Sequence, residues 1–416
     1  MPTDFDLLRS LEDEPRTPST VDVRRAIADG RRRRRLRRGI GYTSAAAVTA
    51  LAVAGTSFAA SGLSTKTPKN AAATGGAAAS SKPAVTPPTS CTLNRLPVPD
   101  NEPMALVTGG DPTGQYLVGR TYPKGGGYQA VIWHDGQVKK VMLPGDLEES
   151  LRDVNSSGTA VGWSYLPTAG GSTVENPYVY QDGKVSKLPG MRSGEAVAIN
   201  DAGEIVGNDD KSGAVVWRSA TAKPTRLPLP AGAKAAMASG IDEDGTVVGT
   251  VDMSRPYIWL ADGTHHELAM PTIDGKTAVG ARVSGIRNGW AMGVAYLDDS
   301  AAKGPAAGKV SAAKGNAGQF WAVRWNVRTG EVVSVTSGVD VEPGIINAQG
   351  WQVGIDKQGQ AMLVADGATV VLPDLHTHTP GGLQNIANSL SDDGRTIGGQ
   401  SDDKADVIQA VVWRCK

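Results

Sequence analysis

Short apolar runs alternate with glycine-containing turns from about residue 91 to the end of the chain. The pattern repeats with a unit of about 44 residues, and each unit contains two glycines that enclose three residues, or four in the first copy. The second glycines of the seven copies are Gly119, Gly162, Gly207, Gly249, Gly293, Gly354 and Gly398. They are separated by 43, 45, 42, 44, 61 and 44 residues. A repeat of this length predicts one supersecondary unit per copy.

Each copy continues with an apolar run that ends in an aromatic residue, as in Ala-Val-Val-Trp217, although the sixth copy has Val364 instead. Four copies then have Asp-Gly, a strong signal for a two-residue hairpin turn. The run that follows the aromatic residue often closes with Leu-Pro, as at 143–144, 188–189, 227–228 and 372–373. One unit is therefore four short strands, the size of one propeller blade. The sequence predicts an all-β, seven-bladed β-propeller of four-stranded blades.

The turn between the first two strands of a unit begins with Asp, Asn or Ser in six copies and has glycine as its fourth residue, as in Asn200-Asp-Ala-Gly203. This is the residue preference of a type I turn. Calcium binding by Asp242-Glu-Asp-Gly245 is the alternative. The residues that follow lack the late bidentate Glu of a helix–loop–helix calcium site, so the turn is the preferred interpretation.

The last copy stops at Trp413-Arg-Cys-Lys416 and lacks a fourth strand, which Cys91–Pro97 could supply because it has the same Leu-Pro ending. The N-terminal strand is thus predicted to close the ring. Aligned with the first copy, Cys91 and Cys415 fall three positions apart across a hairpin turn, within ~7 Å, close enough for a disulfide. A crosslink between residues so distant in sequence could stabilise the fold by on the order of 5 kcal/mol.

The first 90 residues have a different composition. Segment 1–38 carries eleven Arg and seven acidic residues, and no charged residue occurs from 39 to 65. We expect 1–38 to be a cytoplasmic tail and 39–61 to be a transmembrane helix that acts as a signal anchor, because positive flanks stay in the cytoplasm. Residues 62–90, rich in Ala, Gly, Ser, Thr and Pro, are predicted to form a disordered linker to the propeller at 91–416.

This arrangement predicts a single-pass protein of the cell membrane, with its C-terminal domain extracellular and the lipid bilayer contacting residues 39–61. Cleavage near Ala60 is the alternative, since small residues precede it and would make the protein secreted. A twin-arginine export signal is a further alternative.

The pattern Ile199-Asn-Asp-Ala-Gly-Glu-Ile-Val-Gly207 followed by Ala214-Val-Val-Trp217 resembles the HAF-type extracellular repeat of bacterial cell-envelope proteins. The resemblance covers about 91–416. It implies a propeller fold and an extracytoplasmic location, and it implies no uniform catalytic activity. The His that heads the family's repeat is replaced here, for example by Gln129 and Gln409.

Lys+Arg and Asp+Glu both number 42, so the formal net charge is zero, and with a basic tail the rest of the chain is slightly acidic. This excludes nucleic acid as the expected partner. Long stretches at 120–128, 163–176, 294–319 and 373–384 are predicted to lie together on one face, where binding sites commonly occur. The candidate ligand-binding residues on this face are Tyr122, Tyr128, Trp163, Tyr165, Arg192, Tyr296, His376 and His378.

The predicted function is a membrane-anchored binding or interaction module for an extracytoplasmic protein or an envelope glycan. The alternative is a metal-dependent propeller hydrolase or lyase with its site at the ring axis. No catalytic constellation, cofactor motif or metal site is visible in the sequence: His376 and His378 with Asp374 would need ligands from elsewhere. We therefore expect no enzyme activity and no cofactor.

The predicted anchor can be tested by the intact mass of the protein extracted from membranes and of any secreted form, with and without reductant. We expect an uncleaved chain that is lighter before reduction by the hydrogens lost when the disulfide forms. A product that begins near Ala60 would contradict the anchor and make the first segment a targeting signal.

Overall fold

The computed structural model describes residues 85–416 apart from 146, 212, 298–319, 336–340, 357–358 and 377–384. The predicted tail, the predicted membrane segment and most of the predicted linker lie outside the described residues. Within the described ranges strands predominate, and no helix is long and apolar enough to cross a membrane.

Seven antiparallel sheets of four strands carry the repeat, one sheet per unit, which confirms the predicted blades. Blades 1 to 3 consist of β2 (Met104–Gly110), β3 (Tyr116–Tyr122), β4 (Gln129–His134), β5 (Gln137–Lys140), β6 (Glu149–Val154), β7 (Ala160–Pro167), β8 (Thr173–Gln181), β9 (Lys184–Lys187), β10 (Gly194–Ile199), β11 (Ile205–Asp209), β12 (Ala214–Trp217) and β13 (Thr225–Arg226). Strand β1 (Cys91–Arg95) and a 3₁₀ helix (Pro99–Asn101) precede them.

Blades 4 to 6 follow in the same order, with a small extra hairpin between blades 4 and 5. Their strands are β14 (Ala236–Ile241), β15 (Val247–Val251), β16 (Arg255–Trp259), β17 (His265–Glu267), the hairpin β18 (Thr272–Ile273) and β19 (Lys276–Thr277), β20 (Gly280–Arg287), β21 (Trp290–Tyr296), β22 (Phe320–Asn326), β23 (Val332–Val335), β24 (Val341–Ile346), β25 (Gln352–Ile355), β26 (Ala361–Ala365) and β27 (Ala368–Val371). Blade 7 consists of β28 (Asn385–Leu390), β29 (Thr396–Asp402), β30 (Ile408–Cys415) and β1.

The blades form a closed ring. The first strand of each blade contacts the first strand of the next, in the cyclic order β2, β6, β10, β14, β20, β24, β28 and back to β2. The first strands therefore surround the ring axis. The hydrophobic clusters lie between neighbouring blades, as where Val161 and Val179 of blade 2 pack with Ala196 and Val215 of blade 3.

Strand β1 pairs antiparallel with β30, so the N-terminal strand closes the ring as predicted. Cys91 and Cys415 form the predicted disulfide, with Cα atoms 4.0 Å apart. They face each other directly as a cross-strand pair, and not across a hairpin turn as the alignment with blade 1 suggested.

The reason for this difference is that blade 1 is an atypical reference. The Leu96 amide donates to Ala410, as the amide of Val141 donates to Ala130 in blade 1. Leu96 therefore corresponds to Val141 and not to Leu143. The register of the predicted closing strand was consequently wrong by two residues.

The last six residues assigned to the linker contact blade 7. The amides of Thr89 and Ser90 donate to the carbonyl of Lys416 at 2.8 and 3.2 Å, and the Lys416 amide donates back to Ser90 at 2.9 Å. Pro88 is buried and Val85 packs against the core of blades 6 and 7. The packed part of the chain thus begins at residue 85 or before.

The second glycine of the repeat is required by a close backbone approach. A methyl group on Gly119 of β3 would overlap the carbonyl oxygen of Leu106 in β2, where the register shifts between Val107 and Gly109. This shift is a β-bulge, and bulges bend a strand and increase its twist. Equivalent overlaps occur at Gly162, Gly207, Gly249, Gly293 and Gly399. In blade 7 the structural equivalent is therefore Gly399, one residue after the glycine counted in the sequence repeat.

The tryptophan of the repeat packs on this glycine and links two blades. In blade 1 the Trp133 ring lies 3.0 Å from where a methyl group on Gly119 would be, and its Nε1 donates to the Pro97 carbonyl at 2.8 Å. The same bond, at 2.7–3.0 Å, joins Trp217 to Pro189, Trp259 to Pro228, Trp325 to Ala269 and Trp413 to Pro373. The Trp and Leu-Pro parts of the repeat are therefore donor and acceptor of one inter-blade hydrogen bond.

The asparagine that opens the first turn also has a role between blades. Asn155 Oδ1 accepts from the amides of Ser157 and Thr159, which holds its own turn. Its Nδ2 donates to the carbonyl of Asn200 in blade 3 at 3.1 Å, and Asn200 donates in the same way to Asp242. Asparagine at this position therefore has two roles. It stabilises the type I turn within its own blade, and it donates a hydrogen bond to the next blade.

Replacing Gly207 with Ala tests the close approach, because the new methyl group would overlap the Glu195 carbonyl and lie 2.8 Å from the Trp217 ring. We expect the free energy of unfolding to fall by at least about 2 kcal/mol. Gly125 has no atom within 4 Å of the corresponding methyl position, so Gly125→Ala is the matched control and should change stability by less than about 0.5 kcal/mol. If chemical denaturation showed the same loss of stability for Gly207→Ala and Gly125→Ala, the requirement for glycine at position 207 would be contradicted.

Candidate functional site

The long connections and the tight turns lie at opposite ends of the strands, as predicted. We call the end with the connections between second and third strands and between blades the loop face, and the other end the turn face. Part of the sequence assigned to loops is strand. Strands β7 and β8 extend through most of 163–176, and their ladder pairs Trp163 with Pro177 and Tyr165 with Glu175. Trp163 and Tyr165 therefore lie on a projecting hairpin.

Two of the predicted tyrosines meet in blade 1. The rings of Tyr122 and Tyr128 are 4.8 Å apart between centroids and inclined at 66°. The Arg120 guanidinium lies 4.5 Å from the Tyr128 centroid, and its Nε donates to the Tyr122 hydroxyl at 3.0 Å. All three side chains are half-buried. The arginine fixes the two rings while leaving part of each accessible.

A second aromatic pair lies at the start of the projecting hairpin of blade 2. The rings of Trp163 and Tyr165 are 5.0 Å apart between centroids at 63°. Trp163 is only 7% exposed, whereas Tyr165 is half-buried. Of this pair, Tyr165 is partly accessible to solvent, and the buried Trp163 ring packs against it.

The connection from blade 1 to blade 2 joins the two pairs. The Tyr128 amide donates to the Leu147 carbonyl at 3.2 Å, and the Tyr165 amide donates to the Glu148 carbonyl at 3.0 Å. The Leu147 side chain between them is 40% exposed. We define the aromatic surface as Arg120, Tyr122, Tyr128, Leu147 and Tyr165.

The aromatic surface offers flat apolar area, hydroxyl groups and one cation. Burial and the nearby Glu148 raise the pKa of Tyr128 above its ordinary value, with Arg120 opposing this. The phenol therefore keeps its proton at neutral pH and can donate a hydrogen bond. Aromatic rings beside an arginine are common where binding energy is concentrated.

The other predicted residues do not join this surface. Arg192 is exposed in the connection between blades 2 and 3. Tyr296 ends β21 and is fully buried, with its ring 6.2 Å from Phe320 between centroids, so this residue belongs to the core and not to a binding face. His376 is half-buried, and His378 lies outside the described residues.

Charged groups from three blades meet near the ring axis on the turn face. Arg287, at the end of the first strand of blade 5, donates to Asp392 of blade 7 at 2.8 Å and to Glu243 of blade 4. Asp392 also accepts from the Ala348 amide of blade 6 at 2.9 Å. The ion pairs join blades 4, 5 and 7, and the Ala348 hydrogen bond adds blade 6.

Asp153 on the first strand of blade 2 has the most perturbed carboxylate near this group. It accepts hydrogen bonds at 2.9 Å from the amides of Val154 and of Ile199 in blade 3. Desolvation nevertheless raises its pKa to about 7; the two hydrogen bonds and Arg287 oppose the rise. On the loop face, burial and Glu195 raise the pKa of Glu175 to about 7.

Among the residues that the structure describes, no group of three or more His, Cys, Asp or Glu is placed to hold a metal ion. Arg120 and Asp153 are not among the site residues predicted from the sequence. Arg120 could have been found, because it lies two residues before Tyr122 on a strand and therefore on the same face. The environment of the half-buried Asp153 depends on Ile199, 46 residues away, and has no local signal in the sequence.

No family model matches the chain, and no curated protein matches it. Among solved structures, the chain is similar to one named "YCF48 bound to D1 peptide", with 12% sequence identity and a TM-score of 0.44. The similarity covers 78% of this chain and 96% of that chain. A likeness at this level carries no argument about function, and the fold assignment depends on the strand pairing described above.

The raised pKa of Asp153 predicts a pH-dependent stability. The folded protein holds this proton more tightly than the unfolded chain, whose ordinary value is 3.8, so the free energy of unfolding should fall as pH rises from about 4 to about 7. Asp153→Asn should reduce this fall when denaturation is compared at pH 5 and pH 8. The exposed turn residue Asp182 provides the control Asp182→Asn, which should leave the fall unchanged. If the free energy of unfolding of Asp153→Asn fell as much with pH as that of the unaltered protein, the raised pKa would not belong to Asp153.

Proposed function

We propose that this chain is a membrane-anchored, extracytoplasmic β-propeller that binds a protein or an envelope glycan through the aromatic surface. The observation that carries the proposal is the packing of Arg120 between the half-buried rings of Tyr122 and Tyr128, with exposed Leu147 beside them. Propeller blades hold these groups on rigid strand ends. Preorganised aromatic groups lose little conformational entropy when a partner binds.

Three features support the extracytoplasmic location. The uncharged segment 39–61 follows an arginine cluster, which favours an anchor with the N-terminus in the cytoplasm. The disulfide between Cys91 and Cys415 suits an oxidising compartment. The resemblance to HAF-type repeats points to the same compartment. Secretion after cleavage of the anchor is the alternative.

A metal-dependent hydrolase or lyase at the ring axis is the second candidate. Asp153 favours it, because a carboxyl group with a pKa of about 7 could act as an acid or base at neutral pH. No metal-ligand cluster accompanies it among the described residues. The binding function therefore has the stronger support.

The binding proposal can be tested by co-sedimentation of the full-length, detergent-solubilised protein with envelope fragments of the source cell. Tyr128→Ala removes one ring, and Arg120→Ala removes the cation that orients both. We expect each change to weaken binding at least about tenfold, as for residues that dominate an interface. Binding that survives protease treatment of the fragments would identify a glycan, and binding that is lost would identify a protein.

Met253 provides a matched control, because it is 52% exposed on the loop face at blade 4, away from the aromatic surface. Met253→Ala should bind like the unaltered protein. Unchanged binding in both aromatic-surface variants, or an equal loss in Met253→Ala, would refute the proposed surface.

A further inference from the structure

The turn face has a regular feature beside the first turn of each blade. The fourth residue of each turn is a glycine with φ between +70° and +83°. A side chain covers this glycine in six blades. The glycines and their covers are Gly114 with Thr396, Gly158 with Tyr116, Gly245 with Glu204, Gly289 with Arg328, Gly350 with Trp290 and Gly394 with Trp351.

Aromatic rings provide three of these covers, and each comes from the preceding blade. A methyl group on Gly158 would lie 2.8 Å from the Tyr116 ring, and one on Gly394 would lie 2.7 Å from the Trp351 ring. Trp351 is 2% exposed in this position. The space between neighbouring turns is therefore the right size for one flat ring.

Blade 3 is the exception, because Gly203 has no atom within 4 Å of its methyl position. The residue of blade 2 that corresponds to Trp351 of blade 6 is Thr159, which is too short to cover it. Both residues directly follow a turn glycine, and their amides donate to the turn asparagine at 3.1 and 3.0 Å. The result is an open cleft of about 300 Å³ between blades 2 and 3.

The lining of this cleft combines an apolar wall with a polar rim. The apolar groups come from residues that include Ile199, Ile205 and Ala220. The rim carries exposed hydroxyl and amide side chains, which are Ser157, Gln181, Ser219 and Thr221. Hydroxyls that already have one partner keep further hydrogen-bonding capacity.

Hydrogen bonds within the protein hold the one charged side chain that lines the cleft. Its only acidic lining residue, Asp201, accepts from the amide and hydroxyl of Ser156 at 2.8 and 2.9 Å. Among the residues that the structure describes, no Lys or Arg lines the cleft. The site therefore lacks the cation that an acidic ligand would need.

We propose that this cleft binds one pyranose ring of a neutral glycan. A pyranose is a compact six-membered ring, similar in breadth to the rings that Trp351 and Tyr116 place in the equivalent spaces. It has apolar C–H faces for the wall and hydroxyls for the rim. An aromatic side chain of a partner protein would leave most of the rim hydroxyls without partners. The site lies on the face opposite the aromatic surface and does not depend on the function proposed for that surface.

The test uses the full-length protein in detergent with a panel of neutral methyl glycosides: glucopyranoside, mannopyranoside, galactopyranoside and N-acetylglucosaminide. Binding is measured by saturation-transfer NMR up to ~10 mM, since single-ring ligands bind weakly. Thr159→Trp fills the cleft with the side chain found at the corresponding position in blades 5 and 6. We expect at least one glycoside to bind and its affinity to fall at least tenfold in this variant.

A second variant, Ser219→Ala with Thr221→Ala, keeps the cleft open and removes two rim hydroxyls. We expect it to weaken sugar binding as well, while Tyr128→Ala on the opposite face leaves it unchanged. Unchanged affinity in Thr159→Trp would overturn the proposal, as would the absence of binding by every glycoside. Displacement of a bound sugar by N-acetyltryptophanamide supports a shared ring site, whereas binding of that amide alone would overturn the proposal in favour of a partner's aromatic side chain.

Discussion

The architecture depends on one close contact, the approach of the second strand of each blade to a bulged first strand. At Gly119 and its equivalents the first-strand carbonyl leaves no room for a side chain. The same absence of a side chain provides the flat surface on which Trp133 and its equivalents pack. The indole N–H is thereby directed to the outer strand of the preceding blade. One steric constraint thus determines the curvature within a blade and the bond between blades.

Much of this fold could be predicted from the sequence because its determinants are local and repeated. Turn glycines, Asp-Gly hairpins and the Trp position recur at a fixed period, so the number of blades and the closing strand were both correct. The register of the closing strand was wrong because Val141-Met142 of blade 1 replaces the Leu-Pro of other blades. A shift of two residues keeps every side chain on the same face, so the hydrophobic pattern did not reveal it.

The candidate sites were harder to predict because they depend on relations between blades. Loop length directed attention to Tyr122 and Tyr128, whose rings pack together in the structure, but it also selected Tyr296, which the continued strand carries into the core. The cleft at Gly203 arises because Thr159 is short and no other side chain covers this glycine. Blade 4 has the equally short Thr246, but there Arg328 covers the next turn glycine, Gly289. An alignment of the seven copies shows that blade 2 has threonine where blades 5 and 6 have tryptophan. Only the packing of those tryptophans in the structure shows that a cleft remains where the ring is missing.

The position of the disulfide has a mechanical consequence. Cys91 is the first residue of β1, and only the short packed segment from Val85 lies between it and the rest of the N-terminal chain. A pulling force applied through that chain would otherwise peel β1 from β30 one hydrogen bond at a time. The bond to Cys415 transfers the load to the opposite strand at the point where peeling would begin. This bond therefore blocks any opening of the ring that would start at the N-terminal end of β1.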